Sequence, residues 1–206
     1  MDGVIVDSEP LHFRAAQQII KKYGKKLPKE RSFQLIGVGE DFFWKTVVKE
    51  LGISFDYKQL LQEKSELYMK LLQNEGNAFP GVVELIKKLS KNYKLAIASG
   101  SSLNEITIIL QKLLIRPYFI RVVSGDDVAK SKPHPEIYLN AAKNLGVVPS
   151  ECVVIEDSIN GVKAAKAAGM GCVAVTNSFP RKMLGEADYV IDSLNEFDLD
   201  YFMRGK

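Results

Sequence analysis

The sequence predicts an α/β protein, in which a parallel sheet is flanked by helices and an all-helical domain is inserted near the start. Two observations lead to this fold class. Between residues 93 and 191, short apolar runs alternate with amphipathic segments, as in proteins whose parallel strands are joined by helices. Residues 13–76, in contrast, carry only the three- and four-residue apolar spacing that is typical of helices.

Each predicted strand is a short apolar run that ends at small or polar residues. YKLAIA, for example, stops at Ser99-Gly100, and CVVIE leads directly into Asp157-Ser158. The predicted strands cover residues 93–98, 119–124, 152–156, 171–176 and 188–191.

The helices predicted between these strands have sequence signals at their ends. A capping box, Ser102 with Glu105 three residues later, opens a helix over residues 103–114. Pro135 stands in the first turn of the next helix, which ends at Gly146. A further helix covers residues 159–168 and is stopped by a glycine. This order of elements indicates helical crossovers between parallel strands.

The helical block lies between two segments that break periodic structure, DSEP at its start and NAFPG at its end. We therefore expect residues 13–79 to fold as a helical domain. Residues 1–12 and 80–206 form the α/β domain into which it is inserted.

The composition excludes several classes of protein. At 206 residues with 46% hydrophobic content, the chain can bury a sizeable core. The net charge of +3 is mild and the basic residues are scattered, so a nucleic-acid partner is not expected. Cys152 and Cys172 lie in apolar runs, which predicts free thiols in a reducing compartment. With no visible signal peptide or membrane-length run, we expect a soluble, cytoplasmic monomer without a membrane partner.

Polar residues follow the predicted strands at the points where ligands collect in open α/β sheets. Ser99-Gly100-Ser101-Ser102 follows the first strand, Lys132 lies in the loop after the second, and Glu156-Asp157 ends the third. Hydroxyl and backbone N–H groups bind phosphate, lysine neutralises its charge, and carboxylates hold a hard cation such as Mg²⁺. The set is suited to phosphoryl transfer.

Each piece also has a purely structural interpretation. The serines can be a helix cap, Lys132 a solvated loop lysine, and Glu156-Asp157 an acidic pair at a helix N-terminus. Their joint placement after successive strands favours a site over these alternatives.

Four segments, in this order, carry a resemblance to a known family: MDGVIVDSEPLH, LAIASGSS, SKPHPEIY and VIEDSINGVKAAKAAG. The chain resembles the haloacid dehalogenase-like phosphohydrolases, in the branch with a helical cap that includes β-phosphoglucomutase and sugar-phosphate phosphatases. The resemblance implies a Rossmann-like core with an inserted cap, a Mg²⁺ cofactor, and an aspartyl-phosphate formed on an Asp-x-Asp turn.

The resemblance also implies roles for individual residues. Asp2 matches the second aspartate of the turn, which is the general acid/base and binds the metal through its backbone carbonyl. Ser99 matches the residue that bonds the transferring phosphoryl group, and Lys132 the lysine that steadies it. The remaining matches are Glu156 and Asp157 as metal ligands, and Gly100, Ser101, Ser8 and His12 as substrate contacts.

Two departures from the family pattern qualify these roles. The nucleophilic aspartate should stand two residues before Asp2, on a strand that is also absent. We therefore expect this chain to be inactive by itself, to have a gap in its core, and to be completed by an upstream strand. In the cap, Ile36 and Glu40 stand where β-phosphoglucomutase has a lysine and an arginine. Glu40 would repel a second phosphate, although Lys45 or Lys49 can substitute.

The sequence thus predicts a Mg²⁺-dependent phosphatase of small phosphorylated metabolites, in particular sugar phosphates. A hexose phosphate mutase of the β-phosphoglucomutase type is the alternative among enzymes. A non-catalytic sugar-phosphate binding protein is the alternative from another class.

Overall fold

The computed structural model of the chain describes residues 1–28, 30–31, 40–54 and 56–199. The chain divides into two compact units, Met1–Ser8 with Gly76–Lys206, and Glu9–Glu75. The predicted domain bounds, 12/13 and 79/80, lie about four residues further along the chain. The difference at the first boundary arises because a helix begins at Glu9, directly after Ser8.

The Glu9–Glu75 unit contains the helices α1 (Glu9–Lys22), α2 (Glu40–Leu51) and α3 (Tyr57–Glu75). On α1 the buried residues Ala16, Ile19 and Ile20 recur at helical spacing and face one core. Trp44 of α2 and Leu60 of α3 belong to the same core. We call this part of the protein the helical unit.

The other unit, which we call the α/β unit, contains the predicted parallel strands. β1 (Ala96–Ala98) pairs with β2 (Arg121–Val123). β3 (Val153–Glu156), β4 (Gly171–Val175) and β5 (Tyr189–Ile191) form a second parallel sheet with β4 in its centre. The predicted α/β fold with parallel strands is therefore confirmed.

The helices of the α/β unit are α4 (Val82–Leu89), α5 (Leu103–Lys112), α6 (Glu136–Leu145) and α7 (Ile159–Ala167). The capping box of Ser102 and Glu105 opens α5 as predicted, with both reciprocal hydrogen bonds present. Gly146 ends α6 with a left-handed backbone at φ +66°, a conformation that glycine adopts without strain.

Side chains of β3 and β4 alternate between two apolar layers. Val154 and Ala174 pack with α6 and α7, whereas Val153 and Val173 pack in a cluster that contains α4 side chains and Phe197. Because the sheet is covered on both faces, its strands are mostly apolar, and every residue of β4 is buried.

An apolar cavity of about 430 Å³ lies between the two sheets. It is lined by Ala96–Ala98 of β1 and by Val153–Ile155 of β3, and we call it the inter-sheet cavity.

Cys152 is half-buried and Cys172 is buried, and both are free thiols, as predicted. Burial raises the pKa of the Cys172 thiol to about 12, which keeps it protonated. Within the described ranges, none of the helices has the length and apolar character needed to cross a bilayer.

Candidate active site

The opening residues of the chain form a tight turn. The N–H of Ile5 donates to the Met1 carbonyl at 2.7 Å, and the N–H of Gly3 donates to the Val6 carbonyl at 3.0 Å. Gly3 has φ +67°, where a side chain would be strained, so the turn depends on glycine at this position. The turn presents Asp2 to the loop that follows β1.

Hydroxyl groups from two segments surround the Asp2 carboxylate. Ser8 Oγ donates to Oδ1 at 2.7 Å, and Ser101 Oγ donates to Oδ2 at 2.5 Å. Ser99 Oγ lies 3.5 Å from Oδ2 and 3.1 Å from the Ser101 hydroxyl. The structure therefore brings the predicted residues Asp2, Ser8, Ser99 and Ser101 into one hydrogen-bonded group.

A second group is built around the buried carboxylate of Glu156. Its Oε1 accepts hydrogen bonds from Lys132 Nζ and, at 2.7 Å, from Tyr138 OH. Its Oε2 accepts from the N–H of Asp157 and from the N–H and hydroxyl of Ser158. Burial favours the protonated acid, but Lys132 outweighs it and lowers the pKa of Glu156 to about 2.

The pKa of Asp157, the next residue, shifts in the opposite direction. The residue is 8% exposed, and its carboxylate accepts a hydrogen bond from Ser178 Oγ and lies against Gly3. Burial, followed by the charge of Glu156, raises the pKa of Asp157 to about 6. A cation beside this carboxylate would favour its charged form and so offset both its burial and the negative charge of Glu156.

These residues fit a Mg²⁺ ion. The described residues contain no cluster of three or more His, Cys, Asp or Glu side chains that could hold a metal by themselves. Mg²⁺, however, is commonly held by one or two carboxylates, with substrate phosphate and water as the other ligands. Asp157 is the candidate carboxylate, because it lies against the backbone of Gly3, next to Asp2.

The remaining predicted residues lie in different surroundings. Gly100 is in the loop between Ser99 and Ser101, and its carbonyl oxygen packs so tightly on Gly125 that a Cβ there would be 2.3 Å away. His12 lies on α1 of the helical unit. Its ring stacks on Tyr68 at a centroid distance of 3.7 Å, and its Nδ1 is 3.2 Å from Lys64 Nζ. Because an ammonium group can only donate, Nδ1 accepts this hydrogen bond.

Ile36 lies outside the described residues, and so does the side chain of Glu40. The expectation that Glu40 disfavours a second phosphate therefore stays a prediction.

Sequence reasoning missed several residues of the site. Asn177 Nδ2 donates to the Gly3 carbonyl at 2.7 Å, and Ser178 holds Asp157. Both follow β4, so the rule that polar residues after strands mark a site would have found them. Tyr138 gave no such signal, because it stands within an ordinary helical pattern.

Comparison with known proteins identifies the class to which this fold and site belong. Residues 1–175 match the family of haloacid dehalogenase-like hydrolases. The chain belongs to this family, and its similarity to β-phosphoglucomutases and sugar phosphatases assigns it to the β-phosphoglucomutase-like branch.

Relatives of this chain are similar along most of their length. A phosphorylated carbohydrates phosphatase of Thermotoga maritima is 37% identical over 82% of this chain and 79% of its own length. The fructose-1-phosphate phosphatase YqaB of Escherichia coli is 32% identical over 85% of this chain and 93% of its own. The crystal structure of a β-phosphoglucomutase from Clostridium difficile matches with a TM-score of 0.79 at 29% identity, and it covers 98% of this chain and 92% of that one. The family and these names support a phosphatase or mutase of phosphorylated small molecules.

Proposed function

We propose that the protein is a Mg²⁺-dependent phosphatase of sugar monophosphates that works through an aspartyl-phosphate. The observation that carries the proposal is the Asp2 carboxylate, held by Ser8, Ser99 and Ser101 at the point where β1 ends. The carbohydrate substrate class is supported by the relatives named as phosphatases of phosphorylated carbohydrates and of fructose 1-phosphate.

The hydroxyl groups and the lysine bind the phosphoryl group. Ser99 and Ser101 donate hydrogen bonds to its oxygens when substrate displaces their contacts with Asp2. Lys132, which is only partly exposed, supplies a positive charge held in place by Glu156. Fixed donors and charges of this kind stabilise phosphoryl transfer because they are oriented before the reaction begins.

Asp157 and the backbone carbonyl of Asp2 would hold Mg²⁺, with Glu156 as a further candidate ligand. When bound, the ion neutralises charge on the phosphoryl oxygens and on the surrounding carboxylates. Asn177, which donates to the Gly3 carbonyl, and Ser178, which donates to Asp157, position these groups.

We assign Asp2 the role of general acid and general base. In its protonated form it donates a proton to the ester oxygen as the P–O bond to the sugar breaks. In the second half of the reaction it accepts a proton from the water whose oxygen attacks phosphorus. Its hydrogen bonds to hydroxyl groups, which can either donate or accept, are compatible with both protonation states.

Attack on phosphorus requires a further carboxylate. Glu156 is occupied by Lys132 and Tyr138, and Asp157 is turned towards Gly3 and Ser178. We assign the attack to the first aspartate of the family's Asp-x-Asp turn, in which the resemblance makes Asp2 the second aspartate.

The test is phosphate release from a panel of sugar monophosphates with Mg²⁺. The chain extended at Met1 by an apolar strand ending in aspartate is assayed beside the unextended chain. Release by the extended chain that Asp2→Asn abolishes supports the proposal. If phosphate binds but no sugar phosphate is hydrolysed by either chain, the non-catalytic binding protein is the better assignment.

A mutase is the second candidate, because solved β-phosphoglucomutases match nearly the whole chain. Interconversion of glucose 1-phosphate and glucose 6-phosphate, faster than release of phosphate from either, would identify it. Hydrolysis without interconversion would exclude it.

A further inference from the structure

Three connections of the α/β unit meet at the amino ends of its strands, whereas the candidate active site lies at the carboxyl ends. They are residues 87–95 before β1, 111–121 before β2 and 143–152 before β3. The N–H of Ile120 donates to the Leu95 carbonyl at 2.8 Å, and Lys94 Nζ donates to the Leu145 carbonyl at 3.0 Å. These bonds join the three connections into one surface, which we call the amino-end surface.

The amino-end surface concentrates the positive charge of the chain. Its charged residues are Lys87, Lys88, Lys91, Lys94, Lys112, Arg116, Arg121, Lys143 and a single acid, Glu151. The whole chain has 28 basic and 25 acidic residues, so 20 basic and 24 acidic residues remain outside this surface. The rest of the chain therefore has a net charge of −4. Basic residues that are scattered in the sequence are brought together by the fold, which favours a negatively charged partner.

Part of this charge has a purely structural explanation. Four of the basic residues lie in the last turns of α4, α5 and α6, where positive charge stabilises the helix dipole, namely Lys87, Lys88, Lys112 and Lys143. Lys91, Arg116 and Arg121 are exposed and lie beyond these helices. Stabilisation of the helix ends does not account for these three residues.

Exposed apolar side chains stand among these charges. The described residues include eight large apolar side chains that are exposed, and four of them belong to the amino-end surface, namely Tyr93, Leu114, Ile120 and Val148. They come from all three connections. The surface is thus both positively charged and apolar.

Leu114 is the most exposed of the four, at 80%, and its backbone conformation is unfavourable. It follows the end of α5 with φ +56°, in the left-handed region where a leucine is strained. Gly146 and Gly169 take the same position after α6 and α7, with φ +66° and +71°. Glycine would suit the fold better at residue 114, so the exposed leucine points to an apolar contact outside the chain.

We propose that the amino-end surface binds the surface of an anionic lipid membrane. Its lysines and arginines bind acidic headgroups, and Leu114, with Tyr93 and Ile120 beside it, inserts at the boundary between headgroups and acyl chains. The sequence-based expectation of no membrane partner rested on spanning segments, which this mode of binding does not use. Because the surface lies at the amino ends of the strands, the proposal goes beyond the proposed function and does not depend on it.

A lipid surface fits these side chains better than a nucleic acid, although both present phosphate groups. Proteins that bind single-stranded nucleic acids stack aromatic side chains on the bases. Of the four exposed apolar residues, Tyr93 alone is aromatic. Leu114, Ile120 and Val148 are aliphatic, and aliphatic groups gain free energy when they leave water for hydrocarbon.

The probe is a set of phosphatidylcholine vesicles that contain about 30% phosphatidylserine, compared with vesicles of phosphatidylcholine alone. We expect the protein to sediment with the anionic vesicles and to bind them at least about tenfold more tightly than the neutral ones. Because the attraction to the headgroups is electrostatic, binding should weaken as the salt concentration rises.

Two variants of the amino-end surface have matched controls in the helical unit. Leu114→Gly relieves the backbone strain, so it should raise the Tm and yet weaken binding to anionic vesicles at least about fivefold. Phe42→Ala removes an exposed apolar side chain of α2 and should leave binding unchanged. Lys91→Glu should weaken binding at least about fivefold, whereas the same charge reversal at the exposed Lys70 should have a much smaller effect.

The proposal is wrong if the protein does not bind the anionic vesicles, or if Leu114→Gly binds them as tightly as the wild type. Tighter binding to single-stranded RNA than to the vesicles, unchanged in Leu114→Gly, would assign the surface to a nucleic acid instead. Vesicle binding is measured without turnover. A failure of this proposal and a failure of the proposed phosphatase activity are therefore separate results.

Discussion

The carboxylate of Asp157 lies directly against the backbone of Gly3, although the two residues are far apart in the sequence. A Cβ atom on Gly3 would stand 1.8 Å from Asp157 Oδ2 and 2.8 Å from Ser178 Oγ. The turn that carries Asp2 and the end of β3 are thus packed without space for a single methyl group.

Gly3→Ala should therefore destabilise the protein more than the loss of a left-handed glycine explains. Gly24 is a matched control, because it has the same φ of +67° and a Cβ added there would meet nothing within 4 Å. We expect Gly24→Ala to lower the free energy of unfolding by about 1 kcal/mol. Gly3→Ala should cost about 2 kcal/mol more, because Asp157 must move. Urea unfolding of both variants measures the difference, and equal losses would show that the turn can relax.

Asp157→Asn should stabilise the metal-free protein at pH 7. The pKa of Asp157 is raised from 3.8 to about 6, so the folded state binds a proton more tightly than the unfolded chain. The stability that this proton contributes is present at low pH and is lost as the pH rises through about 6. The metal-free protein should thus gain about 2 kcal/mol from this group between pH 7 and pH 4. In Asp157→Asn this gain should be absent, and Tm measured against pH tests both statements.

The same variant should bind Mg²⁺ more weakly. Mg²⁺ should raise the Tm of the wild-type protein at pH 7, and Asp157→Asn should abolish most of that rise. In the active enzyme the variant should lower kcat by orders of magnitude. Full activity of the variant in EDTA would show that the metal assignment is wrong.

Glu156→Gln should destabilise the protein at pH 7, whereas Asp157→Asn should stabilise the metal-free protein. The lowered pKa of Glu156 means that its charged form stabilises the fold above pH 4.5, and that this stability is lost as the pH falls through about 2. The substitution removes the negative charge that pairs with Lys132. It also replaces a carboxylate oxygen by an NH₂ group, although both oxygens accept hydrogen bonds. One oxygen accepts from Lys132 and Tyr138, and the other accepts from Ser158. We expect a loss of about 3 kcal/mol at pH 7 in urea unfolding. A variant as stable as the wild type would mean that the ion pair of Lys132 with Glu156 makes no net contribution to stability.

Most of the α/β unit can be predicted from the sequence because its signals are local. The strand β4 is an apolar run closed by Thr176-Asn177, and α5 opens at a capping box whose two residues are three positions apart. The site residues Ser99 and Asp157 follow from one additional rule, that ligands bind where parallel strands end.

Two buried contacts, one in each unit, cannot be predicted in this way, because they depend on packing between distant segments. Tyr138 reads as a core residue of an amphipathic helix, and only the fold shows that its hydroxyl reaches Glu156. Lys64 reads as one of several lysines on the polar side of α3, yet it is 9% exposed beside His12. Neither contact has a spacing in the sequence that would reveal it.

His12→Ala should destabilise the helical unit more than the removal of an exposed ion pair between the same two helices. The substitution removes a hydrogen-bond acceptor of the buried Lys64 and the ring that stacks on Tyr68. The loss should be about 2 kcal/mol. The control is Lys22→Ala, which removes the exposed pair with Glu63 and should cost less than about 1 kcal/mol. Urea unfolding measures the loss of stability in each variant. Equal losses would mean that the His12 ring contributes no more than the exposed ion pair.

Turnover should depend on an aspartate placed two residues before Asp2, where the resemblance to the family puts the attacking carboxylate. The attacking oxygen forms a bond to phosphorus while the P–O bond to the sugar breaks, and the sugar oxygen takes the proton from Asp2. Water then attacks phosphorus, returns a proton to Asp2, and releases phosphate with the carboxylate restored. Two extended chains, with aspartate or asparagine directly before Met1, should be equally stable, because the two side chains have nearly the same size and shape. Only the aspartate version should hydrolyse sugar monophosphates, with a rate at least about a thousandfold higher. Equal turnover of both versions, or robust turnover by the 206-residue chain, would show that another group attacks phosphorus.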